Sequence, residues 1–112
     1  MDNKFELAIY NRLKSGEHVV AELKSTSDKR RRWVAIYQPK YKAIDEREVP
    51  HIFTILDFEL DRDKIDQYFS DEEMVNKQRY YANTEKEVFE ILKSMGIDPG
   101  EFTYPWRCDY PL

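Results

Sequence analysis

Hydrophobic positions recur along this chain first at helical spacing, then in alternation, then at helical spacing again. Phe5, Ala8, Ile9 and Leu13 fall on one helix face, with Asn3 and Glu6 at capping-box spacing and Gly16 closing the run. Residues 18–24 (HVVAELK) alternate loosely and Ser25, Thr26, Ser27 and Asp28 form a turn signal. Residues 30–41 are rich in β-formers, which together predicts a hairpin. In the second strand of that hairpin Val34 and Ile36 share one face, while Trp33, Ala35 and Tyr37 share the other. Neither face is polar, the pattern of a central strand or of one whose outer face is a contact surface.

Beyond Pro50, residues 52–61 alternate most clearly. Ile52, Thr54, Leu56, Phe58 and Leu60 lie on one face and Asp57, Glu59 and Asp61 on the other, where neighbouring carboxylates stand about 6.6 Å apart. Ile65, Tyr68 and Phe69 have the spacing of a short helical turn, Ser70 with Glu73 caps another, and residues 74–82 read as a strand ending at Tyr80 and Tyr81. Thr84 with Glu87 is a capping box. Val88, Ile91, Leu92 and Met95 follow at i, i+3, i+4, i+7, and Gly96 supplies the stop after which Ile97 folds back on Leu92.

The resulting order is α, β, β, β, β, α. It predicts an α+β fold: a mainly antiparallel sheet of about four strands with two helices packed against it, in a single domain spanning residues 1–112. Within it, residues 98–112 place Pro99, Pro105 and Pro111 among Phe102, Tyr104, Trp106 and Tyr110. Proline at this density favours an extended C-terminal arm, and its apolar bulk must cover the domain or a partner.

Composition narrows the class. Charged residues make up 36% and hydrophobic ones 41%, mean hydropathy is -0.80, and the longest apolar runs are far too short to span a bilayer, so a soluble protein is expected. No basic segment leads into an apolar one at the start, which argues against a secretory signal. Cys108 is the only cysteine, which excludes an internal disulfide and fits a reducing, cytoplasmic location.

Charge is divided unevenly. The net charge of -4 arises from +5 over residues 1–44 and -9 over residues 45–112. Residues 57–73 hold eight carboxylates against Arg62 and Lys64, and charge of one sign at this density destabilises a fold unless something positive lies opposite. Two readings follow. Asp57, Glu59, Asp61, Asp63, Asp66, Asp71, Glu72 and Glu73, with Tyr68 and Phe69 among them, form a binding surface for a basic protein, the carboxylates steering association and the aromatics supplying affinity. Alternatively the strand-borne row of Asp57, Glu59 and Asp61 is answered inside the sheet by Arg30, Arg31 and Arg32, each cross-strand pair contributing about 0.2–1 kcal/mol. Three arginines leave most of the eight carboxylates unmatched, so Asp66, Tyr68, Asp71, Glu72 and Glu73 are the better candidates for touching a partner.

Catalytic and metal patterns are weak. An EF-hand frame from Asp61 reaches Asp63 and Glu72 but places Ile65 fifth and Asp66 where glycine is required. Glu22 and Lys24 have the E-x-K spacing of metal-dependent nucleases, without a second carboxylate on an adjoining strand. No spacing joins Cys108 to His18 or His51, and no glycine-rich loop cradles phosphate. Neither enzymatic activity nor a metal or cofactor is expected. Lys29, Arg30, Arg31 and Arg32 beside Trp33 have the composition of a single-stranded nucleic-acid groove, but strand alternation sends Arg31 to the face of Trp33 and Arg30 and Arg32 to the other. With Glu22 and Lys24, this run carries the alternative reading of a nucleic-acid-binding protein or metal-dependent nuclease.

A small, acidic, aromatic-rich α+β chain without a catalytic set resembles the immunity proteins of bacterial toxin systems, including those of contact-dependent growth inhibition. The likeness extends to the closing stretch, from Asn83-Thr84-Glu85-Lys86-Glu87-Val88 through Met95-Gly96-Ile97-Asp98-Pro99 to Tyr104-Pro105-Trp106. Phage-encoded nuclease inhibitors have a similar profile. The resemblance implies a cytoplasmic bacterial protein that binds and blocks a cognate toxin, a nuclease with a basic groove, with neither membrane nor nucleic acid as a partner.

Overall fold

A computed structural model describes residues 5–38, 53–65 and 73–111. The elements run α1 (Leu7–Lys14), β1 (Val19–Leu23), β2 (Arg30–Tyr37), β3 (Phe53–Asp61), β4 (Val75–Ala82) and α2 (Glu85–Met95), in the order that the hydrophobic pattern predicts. The strands form one antiparallel sheet, β1-β2-β3-β4. The fold is α+β.

The two helices begin differently. At α2 the Thr84 hydroxyl accepts from the Glu87 amide at 3.1 Å, the Glu87 carboxylate accepts from the Asn83 amide at 2.8 Å, and Gly96 turns the chain at φ +73°. The Ile97 amide then closes onto the Leu92 carbonyl at 2.9 Å. At α1 Glu6 stands at the cap position and its side chain makes no capping bond, while Asn3 lies outside the described residues. Eight residues without a side-chain cap hold a helix only through packing, which Ile9 and Leu13 provide; Ala8, expected on that face, is exposed.

The sheet is covered on both sides. On one, Ile9, Leu13, Val88 and Leu92 of the helices lie over Val19, Ala21, Val34, Ile36, Phe53, Ile55 and Ala82. Asp57, Glu59 and Asp61 continue this same face further along β3, whose residues 53–60 are all buried. The other face carries Val20, Trp33, Ala35, Leu56, Phe58 and Leu60, packed with Cys108.

Cys108 reaches that face because the C-terminal segment passes around the edge of the sheet. Phe102 belongs to the helix-side cluster, Thr103 pairs with Val20 on the outer edge of β1 through bonds of 2.8 and 3.0 Å, and Cys108 lies on the far side. There the Cys108 carbonyl accepts from Trp33 Nε1 at 2.8 Å and Arg31 Nη2 at 3.2 Å, and Tyr110 lies 6.0 Å from Phe58. The segment is not extended throughout, since Pro99–Glu101 and Pro105–Arg107 form 3-10 turns that start on the prolines. Trp33 and Phe58 are fully buried beneath it, and each large side chain so covered contributes about 1.5–3 kcal/mol.

Candidate functional site

The register of β2 and β3 places Arg30 opposite Asp61 and Arg32 opposite Glu59. Arg30 Nε meets Asp61 at 3.0 Å. Arg32 instead reaches diagonally to Asp57, donating from Nε at 2.9 Å and from Nη2 at 2.8 Å, a two-bond fork suited to a planar guanidinium. Arg31 turns to the opposite face, forks onto Glu22 at 2.6 and 2.7 Å, and lies 5.1 Å from the Trp33 ring centre. Each arginine of the basic run is therefore held by a carboxylate of the fold.

Among the described residues no arginine pairs with Glu59. It is 2% exposed, and its Oε1 accepts from the Ser25 hydroxyl, the Thr26 amide and the Thr26 hydroxyl at 2.8–2.9 Å. Oε2 accepts from Asn76 Nδ2 at 2.6 Å. Asn76 is presented by an irregularity in β4: pairing shifts between Asp57 and Glu59, and Asn76 adopts φ +54°, a left-handed conformation that asparagine tolerates better than most residues. Burial alone raises the Glu59 pKa, but the bonds from Asn76, Thr26 and Ser25 outweigh it and hold the carboxyl at about 2. The sequence marks Ser25 and Thr26 as a turn but not as donors to a buried carboxylate, and it does not mark Asn76, for which asparagine inside the 74–82 strand is the available signal.

The candidate carboxylates thus separate by location. Asp57 and Glu59 are buried and engaged within the protein. Asp61 pairs with Arg30 with 40% of its side chain exposed. Asp63 lies exposed in the 3-10 turn Arg62–Lys64 that follows β3, and Glu73 meets Lys64 at 3.1 Å. Asp66, Tyr68, Phe69, Asp71 and Glu72, like Tyr41 and His51, lie outside the described residues.

Other groups have restricted chemistry. Burial, with the Glu22 charge second, pushes the Cys108 thiol up to about 11, so it is protonated at neutral pH. Among the described residues no three of His, Cys, Asp and Glu converge as metal ligands, and no helix is long and apolar enough to cross a membrane. Beside the edge of β1 stands an aromatic pair not anticipated as a unit: half-buried Tyr104 stacks on exposed Trp106 at 4.8 Å, with Arg12 and Arg107 beside them. No protein-family model, curated protein or solved structure matches the chain.

Proposed function

We propose that this chain is a non-catalytic binding protein that neutralises a basic, nuclease-type toxin by direct association, as immunity proteins do. The distribution of charge supports this reading. Arg30, Arg31 and Arg32 are matched by Asp61, Glu22 and Asp57 respectively, whereas residues 62–73 carry five further carboxylates against Arg62 and Lys64. The three arginines that would attract phosphate are neutralised within the fold, and the connection between β3 and β4 keeps an excess of negative charge. A nuclease groove is basic because it holds phosphates, so a rigid sheet ending in a carboxylate-rich connection complements it.

The bidentate grip of Arg31 on Glu22 weighs against the alternative in which Glu22, Lys24 and the arginines handle nucleic acid, because it occupies both a would-be metal ligand and a would-be phosphate donor. The deciding experiment is inhibition of a basic nuclease encoded beside this gene, using wild type and an Asp63→Lys/Asp71→Lys double variant. Inhibition by wild type, with binding by the variant weakened at least about tenfold, is expected. Equal inhibition by both rejects the acidic connection as the site, and tight, salt-sensitive binding of labelled DNA or RNA by wild type rejects the inhibitor reading.

A further inference from the structure

Trp106 is 65% exposed, whereas the chain's other tryptophan, Trp33, is fully buried. An indole left in water is ordinarily free to rotate, but this one is fixed. It follows Pro105 at the start of a 3-10 turn, and the Tyr104 ring lies against it at 4.8 Å and 13°. The Arg12 guanidinium is 5.0 Å from Trp106 and 5.8 Å from Tyr104, and is itself anchored by an Nε bond of 2.7 Å to the His18 carbonyl. Tyr104 has a second cation, Arg107, at 5.4 Å. The segment that carries these rings is tied to the sheet at Thr103 and again at Cys108.

We propose that Trp106, Tyr104, Arg12 and Arg107 form a second recognition surface, made of residues other than those of the acidic connection, that docks a protein segment presenting an apolar ring beside a carboxylate. Tryptophan, tyrosine and arginine are the residue types that dominate binding energy at protein interfaces, and a ring already held in place loses little freedom on binding. Charge sets the rest of the occupant. Arg12 has Glu17 at 3.9 Å, but Arg107 has no carboxylate partner among the described residues. One indole face and one unmatched guanidinium, on the consecutive residues Trp106 and Arg107 just past the anchoring Thr103, make a two-point site: the ring takes a proline or aromatic side chain, and Arg107 takes an Asp or Glu beside it. Single-stranded nucleic acid fits less well, because it needs successive stacking platforms along a cationic track, and here one platform stands beside an arginine, Arg12, that has Glu17 at 3.9 Å.

The buried position of Trp33 makes the test direct, since a change in tryptophan emission on adding a ligand reports Trp106. The probes are short peptides identical except for a central Pro-Glu, Pro-Lys, Ala-Glu or Ala-Lys pair, with oligothymidylate as the nucleic-acid arm. The Pro-Glu peptide is expected to shift the emission to the blue and to bind about tenfold tighter than Pro-Lys, with that preference abolished by Arg107→Ala and the signal abolished by Trp106→Phe. Both variants alter exposed side chains, and retention of the wild-type melting curve identifies them as folded. No emission change with any peptide, equal affinity for Pro-Glu and Pro-Lys, an undiminished signal in Trp106→Phe, or a stronger response to oligothymidylate each overturns the proposal.

Discussion

The carboxamide of Asn76 donates to Glu59 at 2.6 Å from a backbone held at φ +54°, so a left-handed residue in β4 satisfies a carboxylate buried in the neighbouring central strand. The irregular pairing and the buried acid belong together: without the extra residue in β4, no donor would stand opposite Oε2. Asn76→Ala removes the donor and places a residue with poor left-handed tolerance at that φ, so it should cost about 1–3 kcal/mol in urea unfolding. Asn76→Gly keeps the backbone freedom while losing the bond, and should fall between Asn76→Ala and wild type.

Glu59 also sets an acid limit. Its pKa is depressed in the folded protein, from 4.5 to about 2, so its contribution is fully present above the unfolded value and is lost as pH falls toward the folded one. The loss is on the order of 3 kcal/mol across that window. In Glu59→Gln this part of the pH dependence should vanish, while stability at neutral pH drops because three donors converge on Oε1. Denaturant titrations at a series of acidic pH values measure both effects. An unchanged slope in the variant would exclude Glu59 as the titrating group.

Asp57 and Arg32 make a different kind of pair. Asp57 has 11% of its side chain exposed and Arg32 has 28%, so neither is fully solvated nor fully desolvated. Removing one partner leaves the other partly buried without its counter-charge, which for a pair of this exposure should cost about 1–3 kcal/mol, below the range for fully buried pairs. Asp57→Ala and Arg32→Ala should each approach this cost, and the double variant should be much less destabilised than the sum of the two. Additivity in that cycle would mean that the fork contributes nothing.

Cys108 reports on the covering segment. Its thiol is shifted from 9.0 to about 11, chiefly by burial, so near pH 8 the folded protein should react with a thiol reagent about a hundredfold more slowly than the chain in urea. Trp33→Phe removes the 2.8 Å bond to the Cys108 carbonyl but leaves the one from Arg31, so it should destabilise by about 1–2 kcal/mol and speed labelling of the native state. Labelling at the unfolded-chain rate in wild type would mean that the segment does not stay docked.

Local rules made much of this fold legible. The Thr84–Glu87 spacing and Gly96 define α2 because capping is decided within a few residues, and alternation in β3 separates Leu56, Phe58 and Leu60 from Asp57, Glu59 and Asp61 because the strand period is strict. Matching the acidic row to the basic run was also foreseeable, since sign and strand adjacency suffice for it. The choice of partner was not. Arg32 stands opposite Glu59 yet pairs with Asp57, because Glu59 is drawn to the β1–β2 turn and to Asn76, both distant in sequence from it. Equally, the prolines and aromatics after residue 98 announced apolar bulk in need of cover, while the path from Phe102 around Val20 to Trp33 is set by tertiary contacts that no local pattern encodes.

That path has a consequence for self-association. An edge strand with open amides and carbonyls is a template on which other chains add, and fibrous aggregates grow from such edges. On β1 the outward groups of Val20 are taken by Thr103, and Pro105, two residues on, has no amide with which to extend the ladder. The C-terminal segment occupies this edge at a single bridge that cannot lengthen past Pro105, so a chain adding at Val20 would first have to displace the same segment that covers the core.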